Sequence, residues 1–443
     1  MTLLFSKLLL VSVLALSKAK FDPIAFSVSQ HAALSVKNET VLPYLHTITN
    51  HMNRNEISNG VFTSREGGKF KCQVYAVAAN TKKLFLDIWH NDQRVASLYA
   101  HSPHYGSGGN AVVLSLSEGD TVQVKTRINY PVDLFYATNR IYNTFTCAQI
   151  GSEALSNDET AISAFSVTSN RYQNVKGGDS IMYNTKLVDI NNGFNLHTGV
   201  FNAPTSGIYI FQFFSLAHQN EELWQDLFHN DQYVCSIKCV TDFEWTGAGN
   251  TVILHLNAND TMTVKAHAGV ANYLFGKQDQ IYTTFSGVQV ITDLDMSFPE
   301  SYPVVAFSVA LTHNVTIRAG STVPFDKVFV NYKNAYNISS GRFVAPASGL
   351  YEFNYHGRTS SGIVLYLRLM HNQRYINSIY DDIPGHQASA GNAAVLELVG
   401  GDEVRLEALG SIKKLYGDPN EIYCTFSGYL LHAIVPGEII VGK

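Results

Sequence analysis

The 443-residue chain is poor in charge, in cysteine, in tryptophan and in long apolar runs. Charged residues make up 15% of it, against about 25% in an average globular protein, which excludes a disordered, charge-rich chain. Lys and Arg total 31 and Asp and Glu 36, a formal net charge of −5, so the basic excess of a nucleic-acid binder is missing. Five cysteines, Cys72, Cys147, Cys235, Cys239 and Cys424, are too few for a disulfide scaffold, and their odd number leaves at least one unpaired within the chain. No CxxC, HExxH, GxSxG or phosphate-loop motif occurs, which predicts a non-enzyme without a required cofactor. The glycines follow no G-X-Y period, so a collagen stalk is excluded.

What is present begins with an export pattern. Lys7 precedes the apolar run Leu8 to Leu16, and Ser17 and Ala19 suit a signal-peptidase site. Residues 1–19 are therefore expected to be a signal peptide, the mature chain starting at Lys20. The run is too short to span a bilayer, and no later segment approaches the length needed. The expectation is a secreted, extracellular protein without a membrane span. Asn38, Asn259, Asn314 and Asn337 each open an N-x-S/T triplet and are candidate glycosylation sites in such a protein.

An internal repeat dominates the rest. Ala-Phe-Ser-Val occurs at 25–28, 164–167 and 306–309. From Phe26, Phe165 and Phe307, the same 42-residue step reaches Gly68, Gly207 and Gly349, each opening an alternating strand. Gly-Asn pairs at Gly109, Gly249 and Gly391, and Thr-Phe pairs ending at Phe145, Phe285 and Phe426, keep that register to within one residue. Such a period is a whole domain, not a solenoid turn, because each copy is large enough for its own core. Three domains are expected at 20–150, 162–291 and 304–435, with solvated linkers between them.

Within each copy the period is two. Tyr209, Phe211 and Phe213 share one strand face, as do Tyr351, Phe353 and Tyr355, while Leu350, Glu352 and Asn354 point the other way. In the first copy Phe70, Cys72 and Val74 oppose Lys69, Lys71 and Gln73. This reads as a half-buried strand, polar face to solvent. Short strands divided by Asn-Asp and Gly-Asp turns, with no 3.6-residue stripe, predict an all-β sandwich or jelly roll. His90-Asn91-Asp92 and His229-Asn230-Asp231 recur, with His371-Asn372-Gln373 in the third copy. A metal reading would need imidazole and carboxylate together; a hairpin whose Asn adopts positive φ accounts for the motif without one.

In the third copy Phe325, Asn331, Tyr336, Phe343, Gly349, Tyr351, Phe353 and Tyr355 stand at F-x5-N-x4-Y-x6-F-x5-G-x-Y-x-F-x-Y. This resembles the signature of the complement C1q globular-head domain of the C1q/TNF superfamily. The second copy keeps Phe201, Gly207, Tyr209 and Phe211, with Tyr183 in place of the first Phe; the first keeps Asn50, Phe62 and Gly68 but has Tyr44 for the first Phe, Asn55 for the next aromatic, and Cys72 and Val74 for the later aromatics. The resemblance implies three tandem ten-strand jelly rolls, trimeric association and binding of an extracellular glycan or protein ligand. It points to recognition of glycans or microbial surfaces in humoral innate immunity, the alternative being a matrix- or receptor-binding signalling protein. Three copies in one chain suggest an intramolecular pseudo-trimer, with a homotrimer as the rival. By family analogy the strands of Cys72 and Cys147 are neighbours, which makes these two the disulfide candidates, against two buried free thiols. Some family members hold Ca²⁺ on loop acids near the trimer axis; no residue here is assigned to such a site.

Overall fold

The computed structural model describes residues 23–30, 34–37, 39–51, 57–152, 162–240, 244–297 and 303–434. The signal segment 1–19 and the sequon residue Asn38 lie outside them. Each repeat forms two five-stranded antiparallel sheets plus a two-stranded ribbon. In the first repeat one sheet runs His46–Asn50, Ala25–Gln30, Asn143–Ser152, Gly68–Val77, Ser107–Leu116. The other runs Ile57–Ser58, Val61–Thr63, Thr121–Thr126, Lys83–His90, Gln93–His101, and Leu34–Val36 pairs with Val132–Leu134. The second and third repeats have the same strand order. First and last strands are antiparallel neighbours, Phe26 opposite Cys147 and Phe307 opposite Gly428, so each domain begins and ends at one sheet.

Aromatic side chains fill the space between the sheets. Phe165 stacks on Phe201 at 4.5 Å and meets Phe285 edge-on at 4.9 Å; Phe307 does the same with Phe343 and Phe426 at 5.2 and 4.9 Å. The signature residues Phe62, Phe201, Tyr209, Phe211, Phe325, Phe343, Tyr351 and Phe353 are all buried in these cores. Edge-to-face and offset pairs suit the ring quadrupole and add to the area term. Asn331 shapes the adjoining turn: its amide donates to Tyr336 O at 2.8 Å and its Oδ1 accepts from Tyr336 N at 3.0 Å.

The first domain solves one packing problem differently. In the second and third domains Phe211 lies opposite Gly287, and Phe353 opposite Gly428. A Cβ on Gly287 would stand 2.7 Å from the Phe211 ring, and one on Gly428 would stand 2.7 Å from Phe353. At the same register the first domain has Cys72 opposite Cys147, Cα atoms 4.2 Å apart, joined by a disulfide. A ring lying over a glycine is replaced by two small residues bonded across the strands. Cys235, Cys239 and Cys424 are buried free thiols. Cys235 and Cys239 share the strand Gln232–Cys239, too far apart along it to pair.

Two expectations need correction. The segment after the second domain is not wholly a solvated linker: Thr283–Thr292 runs into a short helix, Asp293–Ser297, and Ile291, Val304 and Val305 are buried. More consequentially, Gly68–Val77, Gly207–Leu216 and Gly349–Arg358 are not half-buried. Their polar faces are buried too, Lys71, Gln73, Gln212, Glu352 and Asn354 included. The cover comes from the other domains. Ser107–Leu116 packs on Ala164–Ser169 and Thr283–Thr292 of the second domain, and Gly247–Leu256 on Ala306–Ala310 and Thr425–Ala433 of the third. Ser389–Leu398 packs on Ala25–Gln30 and Asn143–Ser152 of the first, so the contacts close into a ring.

Candidate functional site: the shared centre of the three domains

One hydrogen-bond pattern is used at all three junctions. Asn110, Asn250 and Asn392 follow the Gly of each Gly-Asn landmark. Thr284 Oγ1 donates to Asn110 Oδ1 at 2.7 Å, Thr425 Oγ1 to Asn250 Oδ1 at 2.7 Å, and Thr144 Oγ1 to Asn392 Oδ1 at 2.6 Å. Each acceptor belongs to the domain before its donor, the third domain preceding the first. Backbone N–H groups of Val113, Ile253 and Val395 donate to Ser166, Ser308 and Ser27 hydroxyls of the next domain at 3.0, 3.1 and 2.8 Å. All these groups are buried, so each bond removes a desolvation cost on both partners.

At the centre the three equivalent strands face one another, and the layers they build are made of unlike residues. Counting from Gly68, Gly207 and Gly349, the third position carries Lys71, Ile210 and Glu352; the fifth Gln73, Gln212 and Asn354; the seventh Tyr75, Phe214 and His356. In the fifth layer Gln212 Nε2 donates to Gln73 Oε1 at 2.8 Å and to Asn354 Oδ1 at 3.4 Å, joining all three domains. In the third layer Lys71 forms a buried ion pair with Glu352. Glu352 also accepts from Gln73 at 2.9 Å, Asn354 at 2.8 Å and the Tyr429 hydroxyl at 3.0 Å. Burial pulls the Lys71 ammonium below the usual lysine range, with Glu352 opposing that shift. Removing two charges from water is costly, and extra hydrogen bonds to the carboxylate are what make such a pair tolerable.

His356 sits in the next layer with its ring 6.1 Å from Tyr75 and 6.3 Å from Phe214, and its Nε2 is 3.0 Å from Thr251 Oγ1. Burial pushes its imidazole down to about 3, so it is neutral at physiological pH. Gly391 makes room for it: a Cβ there would stand 2.3 Å from His356 Nδ1. Asp381 lies at the junction of the third and first domains, accepting from Ser389 N at 2.7 Å and Ser107 N at 3.2 Å. Burial raises its carboxyl to about 8, although these N–H groups oppose the rise.

The recurrent His-Asn pairs do find carboxylates, but not those beside them in sequence. His90 Nε2 lies 3.0 Å from Asp120 Oδ2, His229 Nε2 2.9 Å from Asp260 Oδ2, and His371 Nε2 2.8 Å from Asp402 Oδ2. Asn91, Asn230 and Asn372 have φ of 51°, 48° and 52° and donate to the same three acids. Burial works to raise Asp120, but hydrogen bonds from Ser117 N, Asn91 and His90 outweigh it and hold the carboxyl at about 2. The motif ties two hairpins together in every domain. Among the described residues no three of His, Cys, Asp and Glu gather as a metal would need, and the acids in these turns are engaged by Asn and His.

Among the described sequons, Asn259, Asn314 and Asn337 are exposed. Asn259 sits in a turn at φ 72°; the amide oxygen of Asn314 accepts from Gly417 N, and that of Asn337 from Ser339 N and Ser340 N. Sequence reasoning missed the central layers altogether. The available signal was that one strand position carries Lys, Ile and Glu in three otherwise matching copies.

Strand order, aromatic cores and the ring of junctions define the class: a tandem jelly-roll protein of three homologous domains. The family model of the C1q domain matches residues 25–147, 164–290 and 306–431, and the chain belongs to that family. It is 37% identical over 140 residues to Caprin-2 of Danio rerio, covering 30% of this chain and 15% of that protein. To complement C1q tumor necrosis factor-related protein 2 of Mus musculus it is 36% identical over 129 residues, 29% of this chain and 43% of that one. To the related protein 3 of Homo sapiens the identity is 34% over 129 residues, 29% and 51% of the two chains. The chain thus spans about half or less of the length of these relatives. The solved globular domain of zebrafish complement 1qA protein aligns at 23% identity and a TM-score of 0.25, over 28% of this chain and 94% of that one. Among the described residues no helix is long and apolar enough to cross a membrane.

Proposed function

We propose that the protein is a secreted recognition protein whose single chain is its own trimeric head, directed at glycans or microbial surfaces. The observation that supports the one-chain head is the third central layer. Lys71, Ile210 and Glu352 complement one another only when the three different domains meet in order. Three copies of the first domain would bring three lysines together, and three of the third domain three glutamates. Like charges converging in a dry centre are strongly unfavourable. The diverged copies then present three unlike outer faces from one chain. Secretion is supported by the export pattern at residues 7–19, the exposed sequons and the Cys72–Cys147 disulfide.

Light scattering on secreted protein, combined with a glycan microarray, tests both halves. The expected particle has the mass of one chain and a compact radius, and binds at least one saccharide class. A three-chain mass that persists on dilution would remove the pseudo-trimer. A silent array with retained binding to a cell-surface or matrix protein would favour the signalling alternative.

A further inference from the structure

The second domain carries an open groove of about 690 Å³ beside the ribbon strand Gln173–Val175, lined also by Asp179, Ser180 and residues 182–184. Its lining includes an exposed tyrosine, Tyr172, 53% accessible, and Met182 at 37%. The Tyr172 ring meets the His218 ring edge-on, centroids 5.6 Å apart and planes at 88°. Around it stand Arg171, Asn174 and Asp179, all exposed, and among the described residues none of these three side chains forms a hydrogen bond or ion pair within the protein. A guanidinium, an amide and a carboxylate together offer both donors and acceptors at one rim.

The same place in the third domain is built differently. Gln173 pairs with Leu274 in the second domain as Val315 pairs with Leu415 in the third. The residue before each is therefore Tyr172 in one and Asn314 in the other. Asn314 turns its amide oxygen to Gly417 N at 3.2 Å and offers no ring. An exposed aromatic at this position is thus a feature of the second domain relative to the third, not a requirement of the fold.

We infer that this groove is a saccharide-binding site, with Tyr172 stacking against the apolar face of a pyranose ring and Arg171, Asn174 and Asp179 bonding its hydroxyls. The electron-rich ring face suits the weakly positive C–H edge of a sugar. An open groove that offers one exposed aromatic ring and three polar side chains without partners among the described residues has the elements of a shallow saccharide site. The inference rests on the glycan reading above and gives it an address.

The test uses the full secreted chain on a microarray of immobilised mono- and oligosaccharides, followed by titration with the soluble saccharide that gives the strongest signal. Tyr172→Ala is expected to weaken that binding roughly tenfold, the scale of one aromatic contact, while Tyr172→Phe retains it. Tyr130→Ala, at a 44% exposed tyrosine of the first domain, is expected to leave it unchanged. Wild-type binding that survives Tyr172→Ala, or falls equally with Tyr130→Ala, overturns the site and leaves the glycan reading standing. A wild-type chain that binds no saccharide on the array overturns both.

Discussion

The two faces of one strand, Gly349–Arg358, behave differently across the three domains. The face toward the domain's own core carries Tyr351, Phe353 and Tyr355, matched by Tyr209, Phe211 and Phe213 in the second domain. The opposite face carries Leu350, Glu352, Asn354 and His356, matched by Ile208, Ile210, Gln212 and Phe214. Both faces are buried. The core face meets its own domain's sheet in every copy, so matching aromatics serve in the second and third, and the first differs there only with a compensating change on the neighbouring strand, the Cys72–Cys147 bridge. The central face meets the other two copies, and there the best partner for a residue is something unlike itself. A lysine is served by a glutamate and an amide donor by an amide acceptor. Copies that touch one another are thereby free to diverge in a concerted way that copies touching only solvent are not.

The largest test of that contrast is to break the ion pair. Glu352→Ala leaves Lys71 buried without its partner and is expected to cost about 3–5 kcal/mol in urea unfolding, whereas Lys71→Met with Glu352→Leu is expected to recover most of it. A single variant as stable as wild type would show that the centre is not dry.

On the core face the matching experiment replaces the disulfide. Cys72→Ala with Cys147→Ala is expected to cost about 2–5 kcal/mol, the usual range for a native bridge. Cys72→Phe with Cys147→Gly imports the solution of the other two domains and should restore part of the loss. Failure of the Phe–Gly pair to improve on the Ala pair would show that the first core has repacked beyond exchange.

A pH titration then separates the faces. His356 has a folded value near 3 against 6.5 when free, so the unfolded chain takes up the proton and the native chain does not. Stability is lost as pH falls below 6.5, by up to about 1.4 kcal/mol per pH unit down to the folded value. Asp381, raised to about 8, acts in the opposite sense, its cost shrinking as pH falls from 8 toward 4. The difference between wild type and His356→Phe isolates the histidine, since Asp381 is common to both. A difference that does not change between pH 7 and 5 would place His356 in contact with water.

The smallest effect belongs to the repeated surface hairpins. Asp120, held at about 2 against 3.8 when free, stabilises the fold above pH 4, and that contribution disappears as pH falls toward 2. Asp120→Asn should flatten the acid limb slightly and leave neutral-pH stability little altered, because the group is near the surface. Thermal melts at pH 3 and pH 7 measure it.

Much of the fold was legible because it is locally encoded. Period-two alternation, Asn-Asp and Gly-Asp turns and four landmarks in near-constant register specify strands and domains within windows of a few residues. The core phenylalanines could be named for the same reason. The His90–Asp120 pairing was not legible, because Asp92 stands closer in sequence and nothing local says that the carboxylate comes from the next hairpin. Tyr172 was passed over as one tyrosine among 24, its exposure being a property of the surface and not of the sequence.

The sequence by itself determined three all-β domains, their aromatic cores and the strand positions of Cys72 and Cys147, because burial of every second residue against its own sheet partner is a short-range constraint. Only the tertiary structure decided the fate of Lys71, Gln73, Glu352 and Asn354. A lysine on an alternating strand reads as solvent-facing, and its actual partner lies 281 residues away in a different domain. Whether that face meets water or a neighbour depends on how whole domains pack, and no local pattern carries that information.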